Sequence, residues 1–278
     1  MARRRNGKPI TGWLLVDKPA GLTSTDVVNN VRWRLQAQKA GHCGTLDPDA
    51  TGLLVVALGE ATKVVPHITD ALKCYEFMVT WGARTSTDDA SGAQIATSEA
   101  RPDREAIEAC LPNYMGEIEQ IPPQVSAVKV DGARAYELAR EGAEMALKPR
   151  PLWVEDLTLL DCPDQDHARF SLTCGKGGYV RSIARDLGED LGCLGHVQSL
   201  RRLWSSGFEV QHAVPYDLVK DEDTPLADHI LPLVAGLSDL PRCDALPALQ
   251  TALQNGQAVA VYRSDAAENE PCWVSCDD

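Results

Sequence analysis

The pattern of strands and helices in the sequence is compatible with an α/β (α+β) chain, without deriving that class by itself. Two observations carry this reading. Short apolar runs rich in β-branched or aromatic residues recur along the chain, as strands require. Between them lie segments whose apolar residues repeat at helical spacing. The chain has 278 residues, enough to bury a sizeable core as one large domain or two smaller ones.

Taken in order, residues 12–17 (Gly-Trp-Leu-Leu-Val-Asp) read as a first strand. Residues 18–24 are a turn, and Ser24 is the expected N-cap of a helix whose apolar face is Val27, Val28, Val31 and Leu35. Leu53-Leu54-Val55-Val56-Ala57-Leu58 is short and β-branched, and reads as a buried strand. A short helix is expected over 60–70 and a strand over 73–81, where aromatic and β-branched residues mix. Residues 82–98 are polar and turn-rich. A helix follows over 104–115, then a loop at Pro122-Pro123, a turn at 130–132 and a helix over 133–141. Strands are expected over 152–160 and 169–174, and a surface loop at Asp221-Glu222-Asp223.

One stretch concentrates chemical features: Gly41-His42-Cys43-Gly44-Thr45-Leu46-Asp47-Pro48-Asp49-Ala50-Thr51-Gly52-Leu53-Leu54. Its glycines admit unusual backbone angles. Pro48 restricts itself and the residue before it, so Asp47 is presented on a stiff loop leading into a strand. That suits a nucleophile or general acid/base. Taken alone, an Asp-Pro is more often an ordinary turn with the acid as a cap. Asp47-Pro48-Asp49-Ala50-Thr51 also fits the D-x-D-x-T loop of haloacid-dehalogenase-type phosphotransferases. Those loops follow a hydrophobic strand directly, and residues 40–45 read as no strand, which excludes the match. The glycines at 175–178 lack the Gly-Lys-Ser/Thr and spacing of a phosphate loop.

Composition narrows the function classes. No apolar run approaches the roughly 20 residues of a membrane span, and the basic N-terminus with Arg3, Arg4 and Arg5 has no apolar signal region behind it. A cytoplasmic location is expected. Nine scattered cysteines read as reduced thiols, and neither they nor His42 and His196 show metal-ligand spacing, so no metal and no cofactor are expected. The net charge of −13 taken whole opposes nucleic-acid binding. Its distribution softens this. From Asp221 onward eleven acids face only Arg242 and Arg263, leaving −4 for the first 220 residues. Positive charge clusters there at Arg32 and Arg34, Lys148 and Arg150, Arg181 and Arg185, and Arg201-Arg202.

The loop around Asp47 closely resembles the motif Gly-His-x-Gly-Thr-Leu-Asp-Pro-x-Ala-Thr-Gly-Leu-Leu of the TruB family of tRNA pseudouridine synthases. Further motifs resemble the family in order: Asp17-Lys18-Pro19 through Thr23-Ser24; Lys73-Cys74-Tyr75; residues 85–92; Gln120 through Lys129; Gly178-Tyr179-Val180-Arg181 through Leu187; and Gly195 through Leu200-Arg201-Arg202. The resemblance covers residues 12 to about 215. It implies the pseudouridine synthase fold, a mixed and largely antiparallel central sheet flanked by helices. It divides the chain into a catalytic domain over 1–235 and a short or truncated PUA-like segment over 236–278.

The resemblance also implies roles. Asp47 is the catalytic nucleophile and Arg181 its partner, a bidentate pair orienting the carboxylate. Tyr75 stacks on the target base and is a candidate for proton transfer. Tyr179 and Leu200 bind the base, His42 occupies the space that a flipped base vacates, and Lys18 and Pro19 support the loop. The implied substrate is uridine 55 in the T-arm stem-loop of tRNA, flipped out for reaction, with no obligatory protein partner and a monomeric enzyme. A non-catalytic RNA-binding or tRNA-folding protein on the same scaffold is the alternative. Tyr75, Arg181 and Leu200 taken singly are ordinary packed or surface residues.

Overall fold

The computed structural model describes residues 7–69, 71–126, 128–130, 133–135, 138 and 145–276. Strands are β1 (Gly12–Lys18), β2 (Ala40–His42), β3 (Thr51–Leu58), β4 (Lys73–Trp81), β5 (Ala83–Thr85), β6 (Gln94–Thr97), β7 (Gly116–Gln120), β8 (Lys129–Val130), β9 (Ala133–Arg134), β10 (Arg150–Asp164), β11 (His167–Cys174), β12 (Gly195–Ser205), β13 (Phe208–Glu209), β14 (Val214–Pro215), β15 (Arg242–Ala245), β16 (Val261–Ser264) and β17 (Trp273–Ser275). Helices are α1 (Ser24–Leu35), α2 (Ala61–Ile68), α3 (Arg104–Cys110), α4 (Val180–Asp190), α5 (Tyr216–Lys220) and α6 (Gln250–Gln254).

A ten-stranded sheet organises the molecule, in the order β14-β1-β3-β12-β4-β11-β10-β7, with β13 beside β12 and β2 beside β3. Among the described residues of this sheet, β1–β14 and β3–β12 are the two parallel ladders and the others are antiparallel. The expected mixed, largely antiparallel sheet is the observed one.

Both faces of β1 and β3 are buried, which explains their unbroken apolar runs. Leu14, Val16, Leu54 and Val56 pack under Val27, Val31 and Leu35 of α1 and Val219 of α5. Trp13, Leu15, Leu53 and Val55 pack on the other face with Ala61 and Ile68 of α2. The second half of the sheet has its own core, where Phe77, Phe170 and Leu172 meet Ile107 of α3 and Ile183 and Leu187 of α4. The halves join through β3 and β12, whose ladder has only two register pairs, Arg201 with Thr51 and Arg202 with Gly52. The Asp47 loop sits at this junction.

Several expectations shift. Thr23, not Ser24, caps α1: its side chain accepts from Asp26 N, and Asp26 bonds back in a capping box. Ser24 is buried, and its hydroxyl is paired with the backbone of Leu46. His42 lies on strand β2 rather than in the loop. The polar stretch after Gly82 contains the β5–β6 hairpin. The helix expected over 104–115 gives way at Leu111 to a 3-10 turn with Pro112 at its start. The helix expected over 133–141 lies largely outside the described residues, and its first two residues pair with β8. Near the C-terminal end, β15, β16 and β17 form a separate small sheet in the order β16-β15-β17. Among the described residues no helix is long and apolar enough to cross a membrane.

Candidate active site

The loop between β2 and β3 is pinned on the side facing residues 18–24. Leu46 N–H donates to Ser24 Oγ at 2.8 Å, and Ser24 Oγ donates to Leu46 O at 3.1 Å. Lys18 is fully buried, and its Nζ donates to Pro19 O and Pro48 O, both at 2.8 Å. Gly21 N donates to Pro48 O at 2.9 Å. Burial pushes the Lys18 amine down to about 8, against the opposing pull of Asp49 and Asp47. The backbone at Asp47 is therefore fixed, while its side chain stays 39% exposed.

Arg181 reaches that carboxylate from the first turn of α4. Its Nε lies 2.8 Å from Asp47 Oδ2, and its Nη2 donates to Oδ1 at 3.0 Å. This is the two-pronged geometry for which a guanidinium is shaped. The remaining nitrogen, Nη1, donates to Thr87 O at 3.0 Å, and Asp89 Oδ2 stands 3.7 Å from Nε. The start of α4 is fastened in turn. Gln120 bonds both the N–H and the C=O of Tyr179, and Ser182 Oγ donates to Ile121 O.

Two cavities meet at the pair. A groove of about 640 Å³ is lined by Asp47, Asp89, Arg169, Arg181, Leu200 and Arg201, among others. A smaller pocket of about 340 Å³ shares Asp47, Arg181 and Leu200 with it and adds Tyr75, Tyr179, Lys73 and Arg202. Burial raises the phenols of both Tyr75 and Tyr179.

The structure thus brings Asp47, Arg181, Tyr75, Tyr179 and Leu200 to one place, with Lys18 and Pro19 behind the loop. His42 lines neither cavity. Its Nδ1 is buried without a partner, and burial, with the nearby Arg202 charge, lowers its basicity. Sequence reading missed Arg202, Asp89, Thr87 and Lys73 as members of the site. A signal for Arg202 was present: a residue two after Leu200 on a strand shares its face.

A model of the TruB family pseudouridylate synthase N-terminal domain matches residues 32–180, and one of the tRNA pseudouridylate synthase B C-terminal domain matches residues 181–238. The chain belongs to the TruB family. It is a pseudouridine synthase, an isomerase. A protein of Cereibacter sphaeroides named tRNA pseudouridine synthase B is 59% identical over 99% of this chain and 92% of its own length. The namesake in Agrobacterium fabrum is 44% identical over 97% of this chain and 88% of its own. Among solved structures, a Cbf5-Nop10-Gar1 complex contains a chain with a TM-score of 0.69 and 27% identity, matched over 88% of this chain and 67% of that one. The second TruB model begins directly after the first and ends at residue 238.

Proposed function

We propose that this TruB-family enzyme acts on tRNA, the substrate in its relatives' name, and isomerises uridine 55 of the T-arm stem-loop, as the motif resemblance implies. The observation that carries the mechanism is the oriented Asp47 carboxylate, gripped by Arg181 at the mouth of a pocket walled by Tyr75, Tyr179 and Leu200. The reaction breaks the N1–C1′ bond, turns the base and rejoins it through C5. One proton leaves C5 and one is gained at N1, so no net redox change occurs.

Asp47 acts as the nucleophile, on C1′ of the sugar or C6 of the base. Arg181 holds it in line and spares it reorganisation. Tyr75 and Tyr179 offer flat faces to a flipped uracil, and the Tyr75 hydroxyl takes part in proton transfer. Leu200 keeps water from the freed base. The flipping cost is of order a few kcal/mol. The larger groove, with Arg169 and Arg201 on its wall, receives the strand around the flipped nucleotide. Lys18 and Pro19 serve the loop's backbone. The enzyme acts as a cytoplasmic monomer with a catalytic domain over 1–235.

The test is pseudouridine formation at every uridine of an unmodified tRNA transcript, with wild type and Asp47→Asn side by side. Product in the T-loop from wild type alone supports the reading. A folded wild type that binds the transcript and forms no product overturns the assignment of this substrate.

A further inference from the structure

Arg202 ends the Leu-x-Arg part of the β12 motif, and the reaction just described makes no use of it. Its side chain is fully buried. A buried guanidinium is ordinarily paired with a carboxylate, yet among the described residues Arg202 bonds backbone instead. Its Nε donates to Leu53 O at 2.8 Å and its Nη2 to Gly44 O at 3.1 Å. Those two carbonyls flank Asp47, one on each side of the loop.

The loop is built to admit this side chain. Gly44 and Gly52 have φ of +93° and +97°. A Cβ at Gly44 would stand 3.3 Å from Arg202 Nη1, and one at Gly52 only 2.3 Å from the Arg202 carbonyl oxygen. On the other side, Arg202 lies directly opposite Tyr75 in the β12–β4 register, and both line the smaller pocket. Opposed residues of neighbouring strands have Cβ atoms about 5 Å apart. Burial raises the Tyr75 phenol, and the charge of the neighbouring Arg202 guanidinium opposes this rise.

We propose that Arg202 is a positioning residue, clamping both ends of the Asp47 loop and donating a hydrogen bond to the Tyr75 hydroxyl. A hydroxyl that accepts from Arg202 keeps its own proton and its remaining lone pair for the pocket. The carboxylate and the phenol are then indexed to one buried cation, so that loop and β4 hold a fixed spacing around the base. This rests on the part assigned to Tyr75 above.

The experiment is a double-mutant cycle with Tyr75→Phe and Arg202→Lys, read as the single-turnover rate on saturating tRNA transcript and, separately, as transcript affinity. Each single variant is expected to lose at least about 10-fold in rate. The double variant is expected within about 2-fold of the slower single one, and affinity within about 3-fold of wild type throughout. Losses that multiply, or affinity that falls in step with rate, overturn the proposal and leave Tyr75's role standing. A wild-type rate for Tyr75→Phe overturns both. If Arg202→Lys does not fold, the guanidinium NMR signal of Arg202 is compared between wild type and Tyr75→Phe. A shift with faster proton exchange supports the bond, and an unmoved signal ends it.

Discussion

Three cations that hold the Asp47 loop or its carboxylate are buried, whereas the arginines of the last three strands are exposed. Lys18, Arg181 and Arg202 are all at or below 5% exposure, and each is tied to loop backbone or to Asp47. In the small C-terminal sheet every residue of β16 is exposed. Arg263 sits 3.5 Å from Asp265 with both side chains more than 40% exposed, and the exposed Arg242 sits 2.6 Å from the buried Asp244. Buried charge is costly to desolvate, whereas exposed pairs contribute between nothing and about 1 kcal/mol. A chain keeps the costly arrangement where geometry matters, so sensitivity to mutation should divide along this line.

The largest effect should come from the acid itself. Asp47→Asn keeps the side-chain shape and removes the charge that Arg181 grips. A loss of roughly 10⁴-fold or more in single-turnover rate is expected, the scale seen when a nucleophile is removed. Because the Asp47 side chain is 39% exposed and its backbone is held independently, melting should move by no more than a few degrees. A variant that kept more than a tenth of the rate would remove Asp47 from the chemistry.

Next is a position with no side chain. Gly52→Ala places a Cβ 2.3 Å from a backbone oxygen at φ +97°. Neither atom can yield without moving the two-pair junction of β3 and β12. A loss of about 3–5 kcal/mol is expected, read from denaturant unfolding. Gly256, also at positive φ but with open space around it, gives the matching control in the C-terminal segment: Gly256→Ala carries the backbone strain alone. Equal costs at the two positions would break the contrast between the regions.

Lys18 supplies a pH-dependent version of the same contrast. Its folded-state pKa of about 8 lies below the ordinary 10.5. Below pH 8 both states hold the proton and the penalty is constant. Between about 8 and 10.5 the unfolded chain binds more protons than the folded one, so Lys18's contribution to stability improves as pH rises. Measured against Lys18→Met, wild type should gain of order 2–3 kcal/mol across that window. A flat difference would mean that the charges of Asp47 and Asp49 keep the buried amine protonated.

How much of this was legible in the sequence follows from where the deciding information lies. The continuous apolar runs at Leu14 and Leu53 announced strands buried on both faces, because burial leaves a local pattern. The Asp47–Arg181 pairing was legible only through the motif, since 134 residues separate the partners. Arg202 was missed as a site residue because an Arg-Arg pair reads as solvated surface. Its burial is set by Gly44, Gly52 and Tyr75, which are remote in the chain. The Thr23 cap was missed for a different reason: Thr23 and Ser24 are both good caps, and only the packing of Ser24 against Leu46 decides between them. His42 was misplaced because the β2–β3 ladder lies next to a glycine-rich sequence that reads as loop.

The smallest effect should come from removing the C-terminal sheet. Cutting the chain after Leu240 deletes β15, β16 and β17, which hydrogen-bond as a sheet of their own. Their arginines, Arg242 and Arg263, already face Asp244 and Asp265, and Glu268 and Glu270 add further negative charge. A phosphate approaching this segment meets a net repulsion that low salt strengthens. The truncated chain should therefore keep its single-turnover rate and its transcript affinity within about 3-fold at moderate salt. At low salt its affinity should equal or exceed that of the full chain, because the acids are gone while the clusters around the groove remain. An affinity that instead fell 10-fold or more would show that RNA contacts in the tail outweigh its charge. It would place part of the binding energy in the region where the buried-cation rule predicts none.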